Sequence, residues 1–374
     1  MRTEGDFIKI NEWLRPLSWL YGLGVGIRNI MFETGILKSR AYDIPVIAVG
    51  NITVGGSGKT PHVEYLINLL HDKLKVAVLS RGYKRKSHGY VLAGKDTPMQ
   101  MIGDEPFQMK SKYDDIYVAV DKRRREGIER LTDDAATSDT DVILLDDAFQ
   151  HRYVKPGINI LLVDYHRLII YDELLPAGHL REPKEGKSRA DMVIITKCPK
   201  DLKPMEFRVL TRAMNLYPYQ DLFFTTLVYK DLQGIFTHKP MPLADISPDT
   251  TIMLLTGIAS PRQMSTDLKP YGRDIVPLSF ADHHAFTPKD VERINSTYAS
   301  LPHPSIIITT EKDRSRLIGL DGLSEDVKRN IYALPIEVKF MLEGEKRFNH
   351  KIISYVRKNS RNSILAKAKN DHKS

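Results

Sequence analysis

Short runs of apolar residues recur along the first part of the chain, and between them apolar residues are spaced three and four positions apart. Runs without polar alternation are typical of strands buried on both faces, whereas the wider spacing is typical of helices. Strands and helices that alternate in this way predict a doubly wound, mostly parallel α/β sheet. The runs expected to form its strands are 46–49, 75–79, 116–120, 141–147, 158–163 and 192–196.

A second, smaller α/β domain is predicted after a candidate linker at 201–240, which ends in a proline-rich turn. Its expected strands are 252–255, 275–278 and 305–309, and a last strand at 331–340 is expected to return to the first domain. The predicted division is therefore an N-terminal helix region 1–40, a core 41–235, the smaller domain 236–335, and a return strand, helix and basic tail 336–374.

The segment Val46–Leu70 carries the clearest chemical motif, because a strand, a glycine-rich loop, Lys59-Thr60 and a helix follow one another. This order is the context in which a P-loop of the type G-x-x-x-x-G-K-[ST] binds a nucleotide. Backbone amides would surround the phosphates, Lys59 would reach the β- and γ-phosphates, and the Thr60 hydroxyl would hold Mg²⁺. The residues expected to bind ATP are Thr53, Val54, Gly55, Gly56, Ser57, Gly58, Lys59 and Thr60.

Thr53 departs from that motif, since it stands where the pattern has its first glycine. A simpler interpretation is a glycine-rich turn between strand and helix with an incidental lysine. With the motif accepted, the first domain is predicted to be P-loop NTPase-like.

Two pairs of adjacent carboxylates are further candidates for the site. Asp146 and Asp147 end an apolar run, as in a Walker B strand that delivers carboxylate to Mg²⁺, although they could instead cap the next segment. Asp104 and Glu105 lie in Gly103-Asp-Glu-Pro106, where they are either helix-capping residues or a base and a metal ligand.

The net charge of the chain indicates which kinds of partner it suits, and its length and cysteine content limit its domain organisation and its possible disulfide and metal sites. Lys and Arg total 55 against 47 for Asp and Glu, and the resulting net charge of +8 suits a nucleotide, a phosphorylated substrate, nucleic acid or acidic lipid. The length of 374 residues suits two domains, or one large domain with additions, and is ample for a buried core. The single cysteine, Cys198, excludes an internal disulfide and a cysteine-rich metal site.

The segment Trp13–Leu37 holds both tryptophans of the chain together with aliphatic and basic residues. Arg15 and Arg28 interrupt it too closely for a membrane-spanning helix, which needs about 20 apolar residues. A helix that lies on a membrane surface fits this pattern. The alternative is that these residues simply pack on the main domain.

Other motifs carry weaker evidence. The basic segment Ser80–Ser87 follows a strand, where ligands bind in open α/β sheets, but it could be a solvated loop. The loop Leu174–Pro183, with Arg181 and Glu182, is expected at the surface. Thr196-Lys197 has the position of a base-reading lysine without the aspartate that should follow it. The adjacent pair His283-His284 lacks further ligands at metal-site spacing. A simpler hypothesis is that one histidine acts as an acid–base partner or forms a hydrogen bond to a carboxylate.

Taken together and in this order, several motifs resemble the tetraacyldisaccharide 4'-kinase family, the lipid A disaccharide kinases of Gram-negative bacteria. They are VGNITVGGSGKTP, LSRGYKRK, GDEP, ILLDDAFQHR, LLPAGHLREP, TGIASP, FADHHAFT and TTEKD. The resemblance extends from about Leu14 to Phe340. Thr53 is normal in that family, whereas Ala148 stands where the family usually has glycine.

The resemblance implies transfer of the ATP γ-phosphate to the 4'-hydroxyl of a tetraacyldisaccharide 1-phosphate. It implies that the enzyme works at the cytoplasmic face of the inner membrane and is anchored there by its N-terminal helix. The implied catalytic residues are Asp104 as base, His283 tuning it, and Lys59. The implied metal ligands are Thr60, Glu105, Asp146, Asp147 and Glu182, and the implied contacts to substrate phosphate are Arg81 and Arg181.

Two other functions remain open from the sequence. A membrane-associated P-loop ATPase switch would share the loop, the aspartates and the N-terminal helix but would have no lipid acceptor. A nucleic-acid-binding ATPase would explain the basic loops. No basic stripe interleaved with aromatic residues supports the latter, so no nucleic acid partner is expected, and the protein is expected to be a monomer.

Overall fold

The computed structural model describes residues 8, 10–258, 261–282, 284 and 286–360. In chain order, its strands are β1 (Val46–Gly50), β2 (Val76–Ser80), β3 (Val91–Leu92), β4 (Tyr117–Val120), β5 (Val142–Asp146), β6 (Ile158–Asp164), β7 (Met192–Thr196), β8 (Asp221–Tyr229), β9 (Leu232–Gly234), β10 (Pro240–Met241), β11 (Thr251–Thr256), β12 (Asp274–Ser279), β13 (Ser305–Thr310), β14 (Ile331–Leu334) and β15 (Ile336–Phe340).

The α-helices are α1 (Arg15–Glu33), α2 (Lys59–Leu70), α3 (Met99–Ile102), α4 (Asp104–Lys112), α5 (Arg124–Asp133), α6 (Pro204–Met214), α7 (Arg262–Leu268), α8 (Pro288–Ala299), α9 (Glu311–Leu317), α10 (Glu325–Asn330) and α11 (Gly344–Asn359). Short 3₁₀-helices lie at Glu12–Leu14, Tyr165–Arg167, Ile169–Tyr171, Lys184–Arg189, Leu243–Asp245 and Lys269–Tyr271.

The chain forms two compact units. Unit 1 combines the chain up to Leu227 with the segment from Val338, and unit 2 is Val228–Glu337. Unit 2 thus begins before the predicted 236–335.

Within the described residues, unit 1 is built on a nine-stranded sheet with the order β15-β8-β7-β6-β1-β5-β2-β4-β3. Its ladders from β8 through to β4 are parallel, and β3 pairs antiparallel with β4. This arrangement confirms the predicted mostly parallel sheet.

Helices cover both faces of that sheet, which explains why its strands are continuous apolar runs. Ile47 and Val49 of β1 join one core with the apolar face of α2. The alternate residues Val46 and Ala48 join a second core with Ile128 of α5. Side chains alternate between faces along a strand, so both core layers hold β1 in register.

Unit 2 contains, among its described residues, a six-stranded sheet with the order β10-β9-β14-β13-β11-β12. Strands β11 to β14 pair in parallel, and β9 pairs antiparallel with β14. One core of this unit joins Met253 and Leu255 of β11 to Ile294 of α8.

The prediction of a single last strand at 331–340 is wrong, because the structure has two strands there. β14 belongs to the six-stranded sheet, whereas β15 lies beside β8 in the nine-stranded sheet. Pro335 separates them, and a proline cannot donate a ladder hydrogen bond. Its carbonyl instead accepts from Lys230 N at 3.0 Å.

Candidate active site

The glycine-rich loop occupies the carboxyl end of β1. β1 ends at Gly50, residues 51–58 form the loop, and α2 begins at Lys59. Gly55 and Gly58 have φ values of 96° and 81°, a left-handed backbone that glycine adopts without steric cost. The loop therefore presents backbone amides at a helix N-terminus, where the helix dipole and free N–H groups favour an anion.

Asp146 ends β5, the strand that pairs with β1. Ser80 Oγ at the end of β2 donates to Asp146 Oδ2 at 3.0 Å, while Oδ1 is buried with no hydrogen-bond partner in the described part of the chain. Burial, together with the nearby charges of Glu105 and Asp147, raises the pKa of Asp146 to about 7, and Lys59 opposes that rise. A cation bound here would lower the pKa of this carboxyl again.

Asp147 connects the loop lysine to an arginine. Its Oδ1 lies 3.5 Å from Lys59 Nζ, and its Oδ2 lies 3.7 Å from Arg181 NH1. All three side chains are partly exposed, so they line an accessible surface beside the loop.

The GDEP motif lies at the same edge of the sheet. Asp104 and Glu105 form the first turn of α4. The preceding Gly103 packs on the backbone after β2, where a β-carbon would lie 2.9 Å from the Tyr83 carbonyl oxygen. Because Ser80 of the same strand bonds Asp146, the two carboxylate pairs are attached to neighbouring strand ends.

Arginines surround the segment after β5. The buried Arg124 donates to the Asp146 carbonyl at 3.0 Å. Burial, followed by the charges of Arg124, Arg28 and Arg81, lowers the pKa of His151 to about 4. Several guanidinium groups therefore lie near this segment, and among them Arg81 is exposed.

A groove of about 370 Å³ adjoins the loop. Its lining comes from α1, the glycine-rich loop, the segment after β5 and the loop 174–183: Tyr21, Val25, Arg28, Val54, Gln150, Leu175, Arg181 and Glu182. Arg28 donates to the Gln150 carbonyl at 3.3 Å, and Arg181 lies 3.4 Å from the Gln150 side-chain oxygen. The groove is thus bounded by two guanidinium groups.

The loop that contains Arg181 was expected at the surface, and that expectation is wrong for much of it. Ala177, Gly178 and Leu180 are buried. Leu180 forms an antiparallel bridge with Thr53, and His179 O accepts from Val54 N at 2.8 Å. The proline-rich composition indicated a loop, but its burial depends on these long-range contacts.

Glu182, a predicted metal ligand, is buried and accepts two hydrogen bonds from Arg189 NH2, at 2.7 and 2.8 Å. Its carboxylate is therefore neutralised by an arginine. Among the described residues, no group of three or more His, Cys, Asp or Glu side chains is arranged to hold a metal ion.

The predicted catalytic His283 lies outside the described residues. Its neighbour His284 is described: His284 Nε2 lies 2.9 Å from Asp290 Oδ2, and the ring stacks on Phe280.

One face of α1 packs on the loop that carries Arg181. Ser18 Oγ donates to the Leu174 carbonyl and accepts from Ala177 N, both at 2.9 Å, and Tyr21 OH donates to the Arg181 carbonyl at 2.7 Å. The other face is exposed and apolar: Trp19 of α1 is exposed by 78%, and Trp13, in the 3₁₀-helix that precedes α1, is exposed by 92%. No helix in the described chain is both long and apolar enough to cross a bilayer.

Sequence reasoning missed several residues of this region. Arg28 contributes to the groove although its position in the N-terminal segment did not indicate this, and Gln150 contributes although it was noted only within the motif ILLDDAFQHR. His62, Arg167 and Lys197 contact backbone carbonyls of the glycine-rich loop. The position of Thr196-Lys197 at a strand end was the one available indication, and it pointed to the nucleotide base rather than to the loop.

Comparison with known proteins gives a consistent result. The family model described as LpxK, tetraacyldisaccharide-1-P 4'-kinase, matches residues 10–357. The tetraacyldisaccharide 4'-kinase of Phocaeicola vulgatus is 60% identical over 96% of this chain and 99% of its own. That of Bacteroides fragilis is 50% identical over 99% of this chain and 100% of its own. The apo-form LpxK from Aquifex aeolicus, solved in complex with ATP, aligns with a TM-score of 0.71 and 29% identity over 92% of this chain and 98% of that one.

Proposed function

Since this chain belongs to the tetraacyldisaccharide-1-P 4'-kinase family, we propose that residues 53–60 hold the phosphates of ATP and that the adjoining groove holds the acceptor. The chain is an ATP-dependent kinase of lipid A biosynthesis, which phosphorylates the 4'-hydroxyl of its disaccharide substrate. An ATPase switch without an acceptor is not favoured.

The observation that carries this assignment is the position of Asp147 between Lys59 and Arg181. Lys59 begins the helix at the loop, and Arg181 lines the groove. The phosphate end of the loop and the groove therefore share one charged surface. A γ-phosphate beside Lys59 would be within reach of an acceptor in the groove.

The reaction forms a bond between the acceptor 4'-oxygen and the γ-phosphorus and breaks the bond from that phosphorus to the β,γ-bridging oxygen, so ADP leaves. Phosphoryl transfer requires mainly positioning and neutralisation of charge. Lys59 and the loop amides supply both to the transferred group. We propose Asp104 as the group that takes the hydroxyl proton; tuning by His283 stays a prediction.

The residues present fit a magnesium ion. Asp146 has a buried carboxylate oxygen with no partner among the described residues, and Mg²⁺ prefers oxygen ligands. We propose Thr60, Asp146 and Asp147 as its first candidates, with Glu105 close enough to act on Asp146 electrostatically. Glu182, already paired with Arg189, is a weaker candidate. The ion would neutralise charge on the β- and γ-phosphates.

The groove suits a sugar phosphate. Arg28 and Arg181 provide guanidinium groups, which match phosphate geometry well. Arg81, exposed at the same edge of the sheet, is a further candidate for a phosphate contact. We assign the acceptor's 1-phosphate to this cluster.

Membrane contact is proposed for the exposed face of α1. Tryptophans beside aliphatic residues are typical of helices at the membrane–water interface. The opposite face of the same helix lines the groove through Tyr21, Val25 and Arg28. Contact with a membrane and packing on the main domain, the two alternatives for this segment, are thus compatible because they use different faces of the helix. An acylated acceptor could enter the groove from the bilayer at the cytoplasmic face of the inner membrane.

The decisive experiment follows labelled phosphate from γ-labelled ATP by thin-layer chromatography. Three reactions are compared: ATP with tetraacyldisaccharide 1-phosphate, ATP alone, and ATP with nucleic acid. Transfer to the lipid is expected. Release of free phosphate at the same rate in all three reactions would contradict the assignment of the groove.

A further inference from the structure

We propose that Lys197 is a positioning residue for ATP, which acts by orienting the phosphate-binding loop from behind. The inference rests on the proposed function, since it requires residues 53–60 to hold the phosphates. Lys197 follows β7 and donates from Nζ to the Gly56 carbonyl. Its ammonium also pairs with Asp164 Oδ2 at 2.7 Å.

Side chains behind the loop also bind neighbouring carbonyls. Thr196 Oγ1 donates to the Ser57 carbonyl at 3.0 Å, and Arg167 NH1 donates to the Val54 carbonyl at 3.4 Å. His62 Nδ1 lies 2.7 Å from the Gly58 carbonyl. The carbonyls of residues 54, 56, 57 and 58 are thus each held by a side chain.

Because the peptide bond is planar, fixing the direction of a carbonyl also fixes the direction of the N–H group of the next residue. In a trans peptide, the carbonyl and the N–H of the following residue point in opposite directions. Holding these carbonyls on the rear side therefore turns the N–H groups of Gly55, Ser57, Gly58 and Lys59 toward the front, where a phosphate would lie. Preorganised donors bind charge without paying for reorientation.

Asp164 organises two of these donors. It ends β6, is buried, and pairs with Lys197 through Oδ2. Its Oδ1 accepts from His166 N at 2.9 Å and so caps the short helix Tyr165–Arg167, which carries Arg167. The order of strands β1, β6 and β7 places both strand ends next to the loop.

The test compares how variants bind ATP, ADP and adenosine in the full-length protein, by calorimetry or competition. Lys197→Met keeps the aliphatic stem and removes the ammonium. We expect this variant to bind ATP and ADP about 10-fold more weakly, which is the effect of losing one charge-assisted hydrogen bond. Its affinity for adenosine should change less than about 2-fold. Lys197→Arg should restore most of the affinity, and Asp164→Asn should resemble Lys197→Met.

Lys351→Met is the matched control, because Lys351 pairs with Asp221 at 2.6 Å at the opposite end of the sheet. It should leave all three affinities unchanged. An equal loss for adenosine would show that Lys197 contacts the nucleoside and would overturn the inference, as would unchanged ATP affinity. Lys59→Ala distinguishes failure of the proposed function from failure of this inference. If Lys59→Ala does not weaken ATP binding, the proposed function of the loop fails. If Lys59→Ala weakens ATP binding and Lys197→Met does not, only the role of Lys197 is refuted.

Discussion

Lys59 Nζ lies 3.5 Å from Asp147 Oδ1, so the lysine of the glycine-rich loop faces the aspartate that directly follows β5. The two residues are far apart in sequence, and the pairing of β1 with β5 brings them together. This ion pair places the Lys59 ammonium beside the glycine-rich loop.

Lys59→Ala should reduce phosphate transfer more than about 100-fold, because a preorganised charge that stabilises the transition state is lost. The measurement is the initial rate of labelled phosphate transfer from ATP to the lipid acceptor. Lys73→Ala, at an exposed lysine beyond α2, serves as control and should keep the wild-type rate. Substantial activity in Lys59→Ala would show that ATP binds elsewhere.

Asp104→Asn should lower kcat by about 10²–10⁴-fold, the usual contribution of a general base, with little change in ATP affinity. Steady-state kinetics and ATP titrations on the same preparation check this split. Asp133→Asn, at an exposed carboxylate at the end of α5, is the matched control. Equal losses in turnover and ATP affinity would contradict the role of Asp104 as base.

Gly55→Ala should weaken ATP binding at least about 10-fold, whereas Gly56→Ala should have only a small effect on ATP binding. At Gly55 the φ of 96° strains any other residue, and a β-carbon would lie 2.8 Å from Arg167 NH2. At Gly56 a β-carbon meets nothing within 4 Å among the described atoms. ATP titration of both variants measures the difference. Equal affinities would mean that the loop does not use this backbone shape to bind phosphate.

The stability of the protein should fall as the pH drops from 7 to 5, partly through His62. Burial lowers the pKa of His62 to about 4, from an ordinary value of 6.5. Between these values the unfolded chain binds the extra proton, so stability rises with pH and is lost as pH falls through this window. The contribution of His62 between pH 7 and pH 5 is about 2 kcal/mol.

Urea denaturation of wild type and His62→Gln at both pH values measures this contribution. Other groups, including His151, titrate in both proteins, so the difference between the two proteins isolates His62. The same loss of stability in both proteins would show that His62 is not buried in its neutral form.

The triple substitution Leu20→Ser, Leu23→Ser and Ile27→Ser should weaken binding to anionic vesicles about 100-fold, at about 1 kcal/mol for each apolar side chain. All three side chains are exposed on α1. The pair Met205→Ser and Val209→Ser, at exposed apolar positions on α6, is the control. ATP affinity should not change in either variant. Unchanged vesicle sedimentation of the triple variant would exclude α1 as the membrane contact.

Much of the fold follows from local patterns. The apolar runs from 46 to 196 correspond to strands of the mostly parallel sheet, because strands buried on both faces require continuous apolar sequence. The split between β14 and β15 was missed, although Pro335 marks it. Each half of that apolar stretch satisfies strand periodicity, and the choice of sheet depends on partners elsewhere in the chain.

Local sequence by itself determined where the glycine-rich loop lies, which residues end the strands beside it, and that the N-terminal helix carries an apolar surface. These are properties of short segments, set by glycine content, side-chain periodicity and charge. Only the tertiary structure decided that Asp147 faces Lys59, that Glu182 is neutralised by Arg189, that Arg28 borders the groove, and that Lys197 reaches the loop. Each of these contacts depends on the order of strands in the sheet or on the packing of loops, which no local spacing specifies.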